Sequence, residues 1–380
     1  MNRDLRLLSA SLFLWGIGEG MFLYLQPIYL TELGANALQV GGILGLAGVA
    51  MTIAHIPAGA IADHAGRKAV MSASWVTGLV AAWMMFLARS LPAFVLALVF
   101  YSLTAFVMSP MSSYVTAARG QWSVGRALTA VSASFNAGAV IGPVVGGFMA
   151  AATGLRSVYG AAAGLFVIST LLIFLLKHQP IDLPGDGHRY RALFRNHAFG
   201  RLLLVTFVSV TAMYLSWPLT PVFLQDVRGL TIPQVGALGS VNALGIVLLS
   251  LTIGRSHPRL GLLLSQALVV FSVVLLWQGT GWGWFAAGYF LAGGFRTARN
   301  LLSAMIEGVI PRAQLGLAYG VAETVAGLSL ILAPIGAGLL YEFQPTSPYP
   351  ASLILIVAAI VITLALAPAA RPRITGTDSA

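Results

Sequence analysis

Runs of uncharged, apolar residues recur along the whole chain, each long enough to cross a bilayer. A spanning helix needs roughly 20 such residues, and about twelve runs of that length can be marked, from 7–30, 38–62, 70–88, 91–116, 126–152 and 156–176 to 200–225, 233–254, 259–279, 283–308, 315–341 and 349–369. Each is continuously apolar instead of alternating, which excludes a transmembrane barrel. Only 8% of the 380 residues are charged and 58% are hydrophobic, against about 25% charged in soluble domains. No soluble core absorbs that surplus. The expected fold is an all-α membrane protein with twelve transmembrane helices.

The cations orient it. With the amino terminus inside, the outer loops hold Arg89, Arg156 and Arg228, while Arg296 and Arg299 fall within a span. All other Lys and Arg residues lie on the inner side, so the positive-inside rule places both termini in the cytoplasm of a cell with a cytoplasmic (inner) membrane. The net charge of +10 reflects these dispersed loop cations and implies no nucleic-acid partner. The first run is too long for a signal h-region and carries Glu19, so it is expected to remain as a helix. The chain has no Cys, and its six His residues form no metal-ligand spacing. No nucleophile–base arrangement is visible either. Neither an enzyme, a metal site nor a bound cofactor is expected.

One long inner connection, residues 178–199, divides the chain into bundles at 1–177 and 200–380. The two repeat each other in parallel. PIYLTELGANALQVG from Pro27 matches PVFLQDVRGLTIPQVG from Pro221, which brings Gln39-Val40-Gly41 onto Gln234-Val235-Gly236. Farther on, Gly125 meets Gly316 and Pro143 meets Pro334. Six plus six helices in parallel repeats is the plan of transporters that rock one half against the other.

Between the second and third runs stands GAIADHAGRK, Gly59 to Lys68. It closely resembles the loop motif of the major facilitator superfamily: a Gly, an Asp four residues on, then Gly-Arg-Lys. The resemblance implies a gradient-driven carrier of a small solute, here expected to be a monomer, with a cavity between its halves. It also implies that Gly59, Asp63, Gly66, Arg67 and Lys68 form a conformational latch. Gly59 would allow close helix approach, Asp63 would meet the amino end of the eleventh helix, and Gly66 would make the turn. Arg67 and Lys68 would hold the inner surface. A plain topology anchor is the alternative.

In the fifth run, Gly138, Gly142, Pro143, Gly146 and Gly147 resemble the glycine–proline motif of drug:proton antiporters in the same superfamily. Glycines at i, i+4 and i+8 make a groove in which another helix can sit. Close packing where the halves meet is the alternative reading. The chain departs from that group in having no arginine at Leu98 to Tyr101 and no acid at Thr116, opposite Glu307.

Buried ionisable groups carry the remaining chemistry, because each costs about 2.5–3.5 kcal/mol at mid-membrane on insertion scales and needs a partner or a wet cavity. Four lie well inside spans: Glu19, Arg296, Arg299 and Glu323. Trp15, Glu19, Phe22 and Gln26 fall on one helical stripe, as do Arg296, Asn300, Ser303 and Glu307. Glu19 and Glu323 are the candidates for proton coupling, since a carboxylate in a cavity beside an arginine can be tuned to exchange protons. Candidate cavity residues are Trp15, Arg296, Arg299 and Asn300. Asn136, Tyr214, Trp217 and Asn242 join them because the superfamily lines its cavity with helices 1, 4, 7 and 10 and places 2, 5, 8 and 11 beside them. A structural Glu–Arg pair joining the halves is the alternative. The expected function is proton-coupled efflux of a small amphipathic or hydrophobic compound. Two alternatives are carriage of a small organic anion and a non-transporting receptor or scaffold of the same fold.

Overall fold

The computed structural model describes residues 2–179, 196–310 and 315–367, apart from the side chains of 55–65, 109, 125 and 315–317. Every regular element among the described residues is helical. In chain order these are α1 (Arg3–Leu23, continued by Gln26–Glu32), α2 (Ala37–Ala65), α3 (Arg67–Leu87) and α4 (Leu91–Ser102, passing through a 3-10 turn at Leu103–Val107 into Met108–Ala118). Then come α5 (Val124–Thr153), α6 (Leu155–Phe174), α7 (His197–Tyr214, continued by Thr220–Asp226) and α8 (Ile232–Thr252). The last four are α9 (Pro258–Gln278), α10 (Trp282–Ala292 and Gly294–Glu307), α11 (Leu315–Phe343) and α12 (Pro348–Leu366). Ten of these are long and apolar enough to span a membrane, and α1 makes eleven when its two parts, bent by 44°, count as one. The twelfth, α10, is broken at Gly293 into pieces of 11 and 14 residues, each too short alone. Its second piece carries the polar stripe.

Sequence-local chemistry starts the helices. Asn36 and Gln39 exchange backbone-to-side-chain hydrogen bonds of 3.0 and 2.8 Å at the head of α2, a reciprocal cap. At the equivalent place on α8, the Thr231 N–H donates to Gln234 Oε1 at 2.8 Å. The repeated Gln-Val-Gly thus has three uses. Its Gln caps, its Val is wholly buried at both Val40 and Val235, and its Gly meets the other half of the protein. A Cβ on Gly41 would lie 2.3 Å from the Pro334 carbonyl oxygen, and one on Gly236 would lie 2.4 Å from that of Pro143. Pro143 and Pro334 are themselves repeat partners. The α2–α11 and α5–α8 seams are therefore copies of one contact, and these two seams join the halves.

Both seams are tightest away from the cation-rich end, where Asn2, Arg67, Lys68 and Gln179 lie. On α11 the close contacts run from Gly338, against the backbone at Ala37, to Gly327, against the Thr52 side chain. Gly320, farther toward the cation-rich end, has nothing within 4 Å of its would-be Cβ among the described residues. The described contacts between the halves gather toward the cation-poor end.

Within the first half, the stripe Gly138, Gly142 and Gly146 packs on the α1 backbone at Phe13, Ile17 and Met21. Only Pro143 and Gly147 face α8. The alternative reading of the motif, close packing where the halves meet, thus fits Pro143 and Gly147 but not the other three: α1 and α5 share one bundle, and small residues let their backbones touch. Beside them a buried polar node joins three helices. Trp75 Nε1 donates to Ser11 Oγ at 3.0 Å and to Ser169 Oγ at 2.9 Å, and the two serines bond each other at 2.8 Å. Trp75→Phe removes those donations and is expected to cost about 1 kcal/mol, read as a lowered unfolding midpoint of the detergent-solubilised protein.

Candidate functional site

The loop motif divides into a described and an undescribed part. Gly66 has φ 83° and begins α3, the left-handed conformation that favours glycine. Arg67 donates to Gln179 Oε1 at 3.3 Å and Lys68 Nζ donates to the Phe174 carbonyl at 3.1 Å. Both bonds tie α3 to the end of α6 inside the first half. The Asp63 side chain, the would-be Cβ of Gly59 and the side chains at the start of α11, the end expected to meet Asp63, are not described, and most of the 178–199 connection and the tail beyond 367 lie outside the described residues.

At the middle of the bundle, one helix of each half presents charge to the other. Arg296 and Arg299 sit one turn apart on the second piece of α10, whose register buries Thr297, Ala298, Leu301 and Leu302 and turns the arginines and Asn300 away from that packed face. Arg299 Nη2 donates to Glu323 Oε2 of α11 at 2.6 Å. That pair lies inside the second half and so does not bridge the halves, as the structural reading of a Glu–Arg pair required. It borders a shallow open cleft between α7, α10 and α11, lined also by Thr206, Val210 and Ser303.

Arg296 is different. It is exposed and has no hydrogen-bond or ion-pair partner among the described residues. Its electrostatic neighbours come from both halves: Arg299 and Glu323 from its own, Glu19 and Tyr24 from α1. Glu19 is half-buried, with Trp15 and Tyr101 beside its carboxylate and Arg296 as its charged neighbour across the seam. Glu19 and Arg296 therefore face each other without forming an ion pair.

Two of the cavity candidates, Trp15 and Asn242, are buried elsewhere. Trp15 is only 8% exposed, its ring stacked on Phe166 at 3.9 Å and packed against Trp75 at 5.4 Å. It is wall, not lining, because an indole beside two aromatic neighbours buries more area than it would in the cavity. Phe22 and Gln26 are buried too, and the break after Leu23 ends the stripe predicted for α1. Asn242 is buried with both amide groups occupied: its Oδ1 accepts from Tyr24 and its Nδ2 donates to the Tyr289 carbonyl. Tyr214 stacks on Phe295 at 5.4 Å, and Trp217 stands in the break of α7. Asn300 is exposed and Asn136 half-buried. Sequence reasoning missed Tyr24 and Tyr101. The signal for Tyr24 was its place just before Pro27, which starts a new helix after the bend.

Two six-helix bundles joined along symmetric seams, with charged side chains from both halves neighbouring each other at their junction, make this a multi-pass membrane transporter of small solutes and not an enzyme. The chain belongs to the Major Facilitator Superfamily, whose profile matches residues 8–230 and again 202–380. It is 22% identical over 359 residues to an uncharacterised MFS-type transporter of Methanocaldococcus jannaschii, covering 90% of this chain and 92% of that one. It is 24% identical over 188 residues to the quinolone resistance protein NorA of Staphylococcus aureus, about half of each chain (49% and 48%). Among solved structures, the nucleoside transporter NupG superposes with a TM-score of 0.79 at 16% identity, covering 96% of this chain and 98% of that one.

Proposed function

We propose that the protein is a proton-coupled exporter of a small amphipathic compound, with Glu19 as the proton site and Arg296 as the polar contact for the solute. The observation that carries this reading is Glu19 neighbouring Arg296 across the junction of the halves without an ion pair between them. Protonation of Glu19 changes the net charge of the cavity, so proton and solute occupancy are linked through Arg296. Glu323, already engaged by Arg299, takes a structural role. Tyr214, Phe295 and Trp217 supply aromatic surface for an apolar body. Efflux is supported by the similarity to NorA over half of each chain. The cation distribution supports cytoplasmic termini in the inner membrane. The bundles 1–177 and 200–380 would rock about the cavity as a monomer, with 178–199 as their tether.

A second reading, carriage of a small organic anion, is favoured by Arg296 having no partner among the described residues, since an exposed guanidinium in a cavity attracts carboxylate or phosphate. Flux in proteoliposomes under an imposed pH gradient separates the two, using a lipophilic cation and a small organic anion on the parent protein and on Arg296→Ala. Proton-driven cation movement that survives Arg296→Ala supports the exporter and leaves Arg296 a modest contact. Anion movement abolished by Arg296→Ala replaces it with the anion carrier. Movement of neither probe under any gradient overturns proton coupling for both classes.

A further inference from the structure

Tyr24 belongs to the first half yet sits in a socket made by the second. Its hydroxyl donates to Asn242 Oδ1 of α8 at 2.9 Å. Its ring lies on Gly239, where a Cβ would come within 2.6 Å of Tyr24 Cδ2. Trp217 meets it edge-on at 6.4 Å, and Trp217 in turn packs on Tyr289 at 5.0 Å. Among the described residues, this is the side-chain-to-side-chain hydrogen bond that crosses between the halves.

The socket is held ready by a break in α10. At Gly293 the backbone N–H bonds to the carbonyl of Phe290, three residues back instead of four, which frees the carbonyl of Tyr289. Asn242 Nδ2 takes that carbonyl at 2.7 Å. The amide is thereby fixed with its oxygen turned toward Tyr24. Gly245 and Gly293 let α8 and α10 touch backbone to backbone around this point, so the acceptor is part of a rigid pair of helices. The donor sits at a break as well, between the two parts of α1.

The contact has no counterpart across the repeat. The positions equivalent to Tyr24 and Asn242 are Pro218 and Ala47, so the α1–α8 contact carries this bond and its repeat counterpart between α7 and α2 does not. Tyr24 lies beyond Glu19 on the way to the cation-poor end, and Glu19 and Arg296 are its charged neighbours.

We infer that Tyr24, plugged into the Gly239–Asn242–Trp217 socket, is the gate that seals the central cavity at the cation-poor end and must withdraw for the solute to pass. The step is a conformational one and holds whichever solute or ion the cavity takes; it rests on the transport reading alone. A buried Asn oxygen that loses its donor is costly, so removing the hydroxyl favours the open arrangement.

The chain contains no Cys, so one introduced thiol reports access. With Asn300→Cys in the cavity, a membrane-impermeant maleimide is applied separately to each face of sealed vesicles. Tyr24→Phe, which keeps the ring and loses the bond, is expected to raise labelling from the cation-poor face by roughly tenfold and lower it from the other. Gly239→Ala, which crowds the ring out of the socket, is expected to act in the same direction. Vesicle insertion and monodispersity on gel filtration establish that each variant is folded, and either variant suffices as a test. Unchanged labelling from both faces in a folded variant overturns the gate. Because labelling needs neither a substrate nor a pH gradient, it fails or succeeds independently of the proton-coupling proposal.

Discussion

Glu19→Gln is expected to abolish accumulation against a gradient while leaving exchange of solute for solute intact. One proton exchanged per solute under a difference of about 2 pH units sustains a concentration ratio of roughly 100-fold, at 1.36 kcal/mol per unit. The substituted amide keeps the shape beside Trp15 and Tyr101 but holds no exchangeable charge opposite Arg296. The ratio should therefore fall close to one. Solute counterflow at equal pH needs only that the loaded carrier reorient, so its rate should stay within a few-fold of the parent. Proteoliposomes loaded with solute and challenged with and without a pH step measure both quantities. Full accumulation retained in Glu19→Gln would remove Glu19 as the proton site and turn attention to Glu323.

Gly146→Val should be the most damaging single change to the folded protein. A Cβ there would lie 2.1 Å from the Met21 carbonyl oxygen and 2.6 Å from Met21 Cα. Those are backbone atoms, so no rotamer change relieves the clash, and α1 must move off α5. Overpacking of this kind costs on the order of 3 kcal/mol or more. Gly164→Ala supplies the contrast. It lies within α6 with nothing within 4 Å of its would-be Cβ, and replacing a helical Gly by Ala favours the helix by up to about 1 kcal/mol. The two variants should shift the unfolding midpoint in opposite directions. A Gly146→Val protein as stable as the parent would show that the α1–α5 contact is looser than its backbone distances imply.

Much of the fold was legible before any coordinates, and the reason is local. A run such as 156–176 becomes a helix because lipid offers its backbone no other partners, a condition met inside the run itself. The repeat was legible in the same way. Gln39-Val40-Gly41 and Gln234-Val235-Gly236 announced two equivalent helix starts, and the structure adds that their glycines and Pro143/Pro334 form the seams. The loop motif was readable at Gly66, whose positive φ is a backbone property of one residue. By contrast, α10 was read as one span because its break depends on Gly293 meeting Gly245 of another helix.

The candidate site was legible in its membership more than in its connections. Helical periodicity put Arg296, Asn300 and Glu307 on one stripe, and α10 carries them so. It placed Trp15 on a lining stripe too, but Phe166 and Trp75 draw that ring into the wall. Tyr24 and Asn242, each unremarkable in an apolar run, acquire meaning only because α1 and α8 bring them to 2.9 Å.

The sequence by itself determined how many helices the chain can make, their order, their repeat and the inventory of charges placed within them. Each of those follows from residues close together along the chain. Tertiary structure decided that Arg299 is bound to Glu323 while Arg296 and Glu19 face each other unbound. That outcome depends on the rotation and spacing of α1, α10 and α11, set by glycine contacts on other faces of the bundle, and ion-pair geometry changes within an ångström or two of helix position.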